Sequence, residues 1–294
     1  MNGDTAMTTG TGPVTGPPRA PARPTMTPGR WVTLAIGVPI ALVLIVGGGL
    51  SLVSDIGTAS FRVDRTIPLD HGRLVARANG SDLTVRQGSA SGGAARLTGT
   101  VHYGLVRPDF SVSGSGINLH CRYLLSNCGL NATLSVPPGT ALDLASGGGN
   151  MQVSDVQAAV TLSSRGGDIA LSGAGGAVTV DSGGGNLSVS HLGGILNFTT
   201  GGGDVDGSDL TSPKVTTDLG GGNVTLTFTS PPANLSVTSG GGDVTIVLPP
   251  GTTEYAIKES TGGGDYGAKV PRNDLAANKI TVDSGGGNVS ITQD

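Results

Sequence analysis

Ser182-Gly183-Gly184-Gly185-Asn186-Leu187-Ser188-Val189-Ser190 holds the fold in miniature. Three glycines and an Asn make a tight turn, and the apolar/hydroxyl alternation after it describes a strand with one buried face. The same alternation precedes the turn, where Val178 and Val180 are interleaved with Thr179 and Asp181. One unit is therefore strand, glycine turn, strand, closed by a second turn such as Leu192-Gly193-Gly194.

The unit recurs along the C-terminal half. Gly147-Gly148-Gly149-Asn150, Gly201-Gly202-Gly203-Asp204, Gly220-Gly221-Gly222-Asn223, Gly240-Gly241-Gly242-Asp243, Gly262-Gly263-Gly264-Asp265 and Gly285-Gly286-Gly287-Asn288 repeat the turn, and Arg165-Gly166-Gly167-Asp168 repeats it with one glycine replaced. Counted at the Asn or Asp, the spacings are 18, 18, 18, 19, 20, 22 and 23 residues. A period of this size is the mark of a stacked repeat. Glycine suits such turns because it reaches positive φ and lets backbones approach closely. Asn and Asp tolerate left-handed conformations and bond to nearby backbone groups.

A single unit cannot bury its apolar face, but stacked units form a continuous Val/Leu/Ile core. The expectation is an all-β chain containing a β-solenoid of about eight repeats, parallel β-helix-like, over residues 141–294. A two-sheet sandwich built from the same strands stays open as an alternative. The longer repeats grow only opposite the glycines, through Ser230-Pro231-Pro232 and Pro249-Pro250-Gly251. Glu259 falls on an inward position, which marks the seventh repeat as irregular. Residues 61–140 read as a divergent N-terminal β cap, in which Asn79-Gly80-Ser81-Asp82, Leu83 and Val85 echo the turn-then-strand pattern.

The N-terminus is different. Residues 1–30 are Pro-rich and read as a disordered cytoplasmic tail. Residues 31–53, which begin at Trp31, carry no charge over 23 positions, long enough to span a bilayer as one helix, with residues 54–60 as linker. Arg19, Arg23 and Arg30 before it and Asp55 after it put the N-terminus inside and the β domain outside the cytoplasm. Cleavage of this segment as a signal peptide near Gly57-Thr58-Ala59 would instead secrete the domain. Cys121 and Cys128, the only cysteines, fit a disulfide in an exported chain.

The Ser-Gly-Gly-Gly-Asn/Asp turns, the Pro-Pro-Gly-Thr element (Pro137-Pro138-Gly139-Thr140, Pro249-Pro250-Gly251-Thr252) and the single Cys pair resemble a bacterial β-strand-repeat family of candidate adhesins, a domain of unknown function. The resemblance covers about residues 60–294 and implies an extracytoplasmic all-β domain of a bacterial envelope.

No catalytic constellation stands out. His71, His102, His120 and His191 are isolated, and no nucleophile elbow precedes a helix. A net charge of −4 argues against a nucleic-acid partner. Asp168, Asp204, Asp206, Asp243 and Asp265 are the candidates for calcium. Turn geometry by itself accounts for an Asn/Asp ladder. The functional expectation is a non-catalytic, membrane-anchored surface-interaction module contacting cell wall, matrix or an envelope protein. An envelope-stress sensor or a regulatory subunit of a membrane complex is the alternative.

Overall fold

The computed structural model describes residues 59–88, 93–104, 106–120 and 128–294. The expected tail and apolar helix lie outside these residues, as do most of the linker and Cys121. Among the described residues no helix is long and apolar enough to cross a membrane.

Each repeat lays one strand in each of two facing sheets. The first of these coils joins β8 (Ala141–Ser146) to β9 (Met151–Ser154) through Gly147-Gly148-Gly149-Asn150. It is followed by β10 (Val160–Ser164) and β11 (Ile169–Ser172), β12 (Val178–Ser182) and β13 (Leu187–Ser190), and β14 (Leu196–Thr200) and β15 (Val205–Leu210). Then come β16 (Lys214–Leu219) and β17 (Val224–Phe228), and β18 (Asn234–Ser239) and β19 (Val244–Leu248). Neighbouring strands in this run pair in parallel, with Val160 beside Leu142 and Val178, and Ile169 beside Met151 and Leu187. Chain coiling with parallel ladders makes this a solenoid, and its two sheets explain why the same strands also fit a sandwich.

The inward residues meet in one apolar layer. Leu144, Leu162, Val180, Phe198, Val237 and Val282 line one row, and none is more than 1% exposed. Stacking hides these faces on both sides, which is what allows such short strands to hold together.

The last coils are not stacked in chain order. β20 (Tyr255–Thr261) and β21 (Tyr266–Lys269) form the outermost coil. The final pair, β22 (Asn278–Ser284) and β23 (Val289–Gln293), is inserted between them and β18/β19. The irregular seventh repeat thus sits at the end of the stack. There the inward-phased Glu259 reaches the surface and its Oε2 meets Arg272 Nη2 at 3.4 Å.

The N-terminal region makes the same kind of detour. β2 (Arg73–Ala78) and β3 (Asp82–Gln87) form a full parallel coil against β8 and β9. β6 (Gly116–His120) and β7 (Gly129–Val136) then add the next coil outward. Only beyond these do antiparallel strands appear: β4 (Ala94–Tyr103) and β1 (Ala59–Pro68) end one sheet, and β5 (Asp109–Ser113) ends the other. Part of the segment expected to be a divergent cap is therefore a regular coil of the stack.

Candidate functional site: an Asx ladder and a flat polar face

The turns owe their glycines to crowding. A Cβ on Gly185 would collide with the carbonyl of Gly167 one coil away, and one on Gly203 with the carbonyl of Gly185. The middle glycines, such as Gly184, have open space around them. Among the triple-glycine turns only Gly222 has a positive φ, of 91°. Close approach, rather than left-handed backbone, is what these turns require. Left-handed positions recur at the opposite corner, where Asp155, Gly173, His191 and Asp209 have φ of 59°, 67°, 55° and 52°.

The residue before the glycines has a role that the sequence reading did not assign. Ser164 Oγ accepts from Gly167 N–H at 3.0 Å and donates to Gly167 O at 3.0 Å. Ser284 and Gly287 repeat the exchange at 3.1 Å in both directions, and Thr200 accepts from Gly203 N–H at 3.2 Å. A buried hydroxyl is thereby satisfied without solvent, and the turn is clipped shut. The signal was present as a Ser or Thr three residues before the last glycine.

The Asn and Asp at the turn exits form one continuous ladder, each backbone N–H donating to Oδ1 of the neighbour on the adjacent coil. Asn150 N–H donates to Asp82 at 2.8 Å, Asp168 to Asn150 at 2.9 Å, Asn186 to Asp168 at 2.8 Å and Asp204 to Asn186 at 3.1 Å. Asn223 then donates to Asp204 at 2.7 Å and Asp243 to Asn223 at 3.0 Å. Asn288 donates to Asp243 at 2.7 Å, and Asp265 to Asn288 at 2.9 Å.

Along the stack, the rungs alternate Asp and Asn without exception from Asp82 to Asp265. Along the chain they do not, because Asp243 is followed by Asp265. The inserted last coil restores the alternation by placing Asn288 between them. Adjacent carboxylates on neighbouring strands would sit about 4.8 Å apart and repel. Alternation doubles that separation while every rung keeps an oxygen acceptor.

This arrangement also fixes where the calcium candidates stand. Asp168, Asp204, Asp243 and Asp265 share one edge but are separated by Asn rungs, and Asp206 lies in β15 beside Ser188 and Thr225. Among the described residues no three His, Cys, Asp or Glu side chains converge as a metal site would require. His71, His102, His120 and His191 are all exposed. His191 Nε2 lies 3.7 Å from Asp209 Oδ2 at the surface.

The outer faces are regular. On one sheet, Thr161, Thr179, Asn197, Thr216, Ser236 and Thr281 stand in register. Beside them runs Ser163, Asp181, Thr199, Asp218, Thr238 and Asp283, again with a carboxylate only at every second place. The other sheet carries Gln152, Ala170, Ser188, Asp206, Thr225, Thr245 and Ser290. Side chains at these positions recur about every 4.8 Å from strand to strand.

The family model described as Toastrack DUF4097 matches residues 110–292. Among solved structures, a candidate cell adhesion protein of Clostridium sporogenes aligns at 12% identity over 80% of this chain and 100% of its own, with a TM-score of 0.23. A candidate adhesin of Bacteroides fragilis aligns at 11% identity over 80% of this chain and 97% of its own, TM-score 0.43. One from Parabacteroides merdae aligns at 7% identity over 80% and 96%, TM-score 0.35. No curated protein matches.

Proposed function

The chain belongs to the Toastrack DUF4097 family, and from that premise we propose that it is a non-catalytic, extracytoplasmic surface-interaction module of a bacterial envelope. Its apolar segment, residues 31–53, holds it in the membrane as a single pass, with the N-terminus in the cytoplasm. A bridge between Cys121 and Cys128 fits that compartment, and in line with it no described cysteine is free.

One observation carries the reading: the two registered rows on one sheet, running from Thr161 to Thr281 and from Ser163 to Asp283. Polar side chains at every coil and carboxylates at every second coil of one row repeat at about 4.8 Å and about 10 Å. An extended polymer with hydroxyl and amide groups at a comparable period can hydrogen-bond to many coils at once, and the weak single contacts add through multivalency. Cell-wall glycan has that chemistry. Contact along the open face, coil after coil, is the mode of binding this arrangement supports.

The test is co-sedimentation of the detergent-solubilised full-length protein with purified cell-wall sacculi, with and without calcium. Saturable binding that is lost when Thr179, Thr216 and Thr281 are changed to Ala and Asp181, Asp218 and Asp283 to Asn is the expected result. Loss on chelation would make the ladder acids ligands. No saturable binding under either condition refutes the wall-contact reading.

A further inference from the structure

The N-terminal end of the solenoid gathers aromatic and arginine side chains on one surface. Strands β1 and β5, the edges of the two sheets, flank an open cleft of about 1230 Å³. Phe61, Phe110 and Val112 line it, half-buried, and Arg62, Arg65 and Arg107 stand exposed around them. The Arg107 guanidinium lies 4.6 Å from the centre of the Phe61 ring. Phe61 in turn meets Phe110 edge-on at 6.4 Å and Tyr103 at 6.1 Å.

The charge is out of character. The chain as a whole carries −4, with 17 basic residues against 21 acidic. Here, among the described residues, three arginines line one cleft alongside a single carboxylate, Asp109. Neighbouring Asp64 is already held by Arg96 through bonds of 3.2 and 2.8 Å, which keep its carboxyl below the usual carboxylate range. Charges on an edge strand also prevent unwanted strand pairing. Arg107 precedes β5 rather than sitting on an edge, so that role does not account for it.

We infer that this cleft docks on the anionic phospholipid headgroups of the membrane in which the chain is anchored. Three observations converge on that partner. Arginines complement phosphate, and they do so bidentately. Aromatic rings beside them suit the boundary between headgroups and acyl chains. Only residues 54–58 separate the apolar segment from β1, and five residues extend no further than about 18 Å. The inference rests on the single-pass reading proposed above. Its consequence is orientation: with β1 and β5 against the lipid, the stack projects outward and presents its polar faces.

The test reconstitutes the full-length chain into nanodiscs of phosphatidylcholine, with or without phosphatidylglycerol, and follows hydrogen exchange. Amides of residues 59–68 and 106–113 are expected to exchange about a hundredfold more slowly with the anionic lipid, since each arginine near such a surface contributes roughly a factor of five. Changing Arg62, Arg65 and Arg107 together to Gln abolishes the difference, while unchanged exchange over residues 151–248 certifies the fold. Changing Arg165, Lys214 and Lys279 to Gln removes equal charge from coils away from this end and leaves the protection intact. Equal exchange in both lipids, or protection lost with this control variant, overturns the headgroup contact alone. A chain that does not enter either disc overturns the anchor and this contact with it.

Discussion

Replacing Asn288 by Asp would put a third carboxylate between Asp243 and Asp265, where the stack now has a neutral rung separating two acids. The rung keeps its geometry, because an Asp oxygen can accept the 2.9 Å bond from Asp265 N–H as the Asn oxygen does. What changes is charge. At about 4.8 Å, two unit charges in water-like surroundings repel by about 1 kcal/mol. The ladder is exposed, so that lower limit applies and not the larger value of a protein interior. Two new neighbours give about 2 kcal/mol at low ionic strength. Screening cuts this to about 1 kcal/mol in 0.1 M salt and to a few tenths in 1 M. Asn186→Asp, between Asp168 and Asp204, meets the same surroundings and serves as a replicate. Urea unfolding followed by circular dichroism at low and high salt reads the difference. A loss that is the same at both salt concentrations, or no loss in either variant, refutes the claim that alternation is electrostatic.

Three further outcomes follow from the packing. Gly185→Ala places a methyl against the Gly167 carbonyl and is expected to cost about 2–3 kcal/mol, whereas Gly184→Ala, with nothing within 4 Å, leaves the melting temperature nearly unchanged. Thr217 is buried in the apolar row with its hydroxyl unpartnered. Thr217→Val keeps the shape and is expected to stabilise by about 1–2 kcal/mol on a denaturant curve. Tyr255 is fully buried with an unpartnered hydroxyl, and burial raises its pKa above the ordinary value. Its folded form stays neutral while the unfolded phenol ionises, so stability is complete below about pH 10 and falls above it by up to about 1.4 kcal/mol per pH unit. Tyr255→Phe should lower the alkaline slope without abolishing it, because burial raises the Tyr266 phenol as well, and an unchanged slope would show that Tyr255 is not a source.

The regular coils were legible because two constraints coincide in them. Alternation fixes which residues face inward, and the glycine turns fix where each coil starts, so residues such as Val178, Val180, Leu187 and Val189 could be assigned to the core from sequence alone. The paired sheets followed from the same pattern, and their parallel register settled between solenoid and sandwich. The order of the end coils was less accessible, because strand pairing is a long-range choice that local periodicity does not encode. β2/β3 lies beside β8/β9 although some fifty residues intervene, and no spacing rule points to that contact. The reason given for the glycines was half right: close approach holds, and positive φ belongs mainly to the other corner. The polar ladder was visible as residue types, but its bonding between coils was not.

The C-terminal detour nonetheless left two marks in the sequence, and together they explain it. Glu259 puts a carboxylate on an inward position, in register with buried Val282, so the coil that carries it is poor filling for the interior of a stack. Asp265 breaks the Asp/Asn alternation, so placing that coil next to β18/β19 would set Asp265 directly against Asp243. Moving it outward one place removes both conflicts at once. Glu259 then reaches solvent and Arg272, while Asn288 separates the two acids. The coil that fills the gap, with Ile280, Val282, Val289 and Ile291 facing inward, is the better core former. The exchange also protects the edge. An outermost strand with a clean apolar face invites pairing with another chain, whereas β20 exposes Lys258, Glu259 and Ser260 and is bridged at Tyr255 by residues 271–273. A repeat that packs badly inside is thus suited to the end, and the chain reaches that arrangement by closing its last coil behind it.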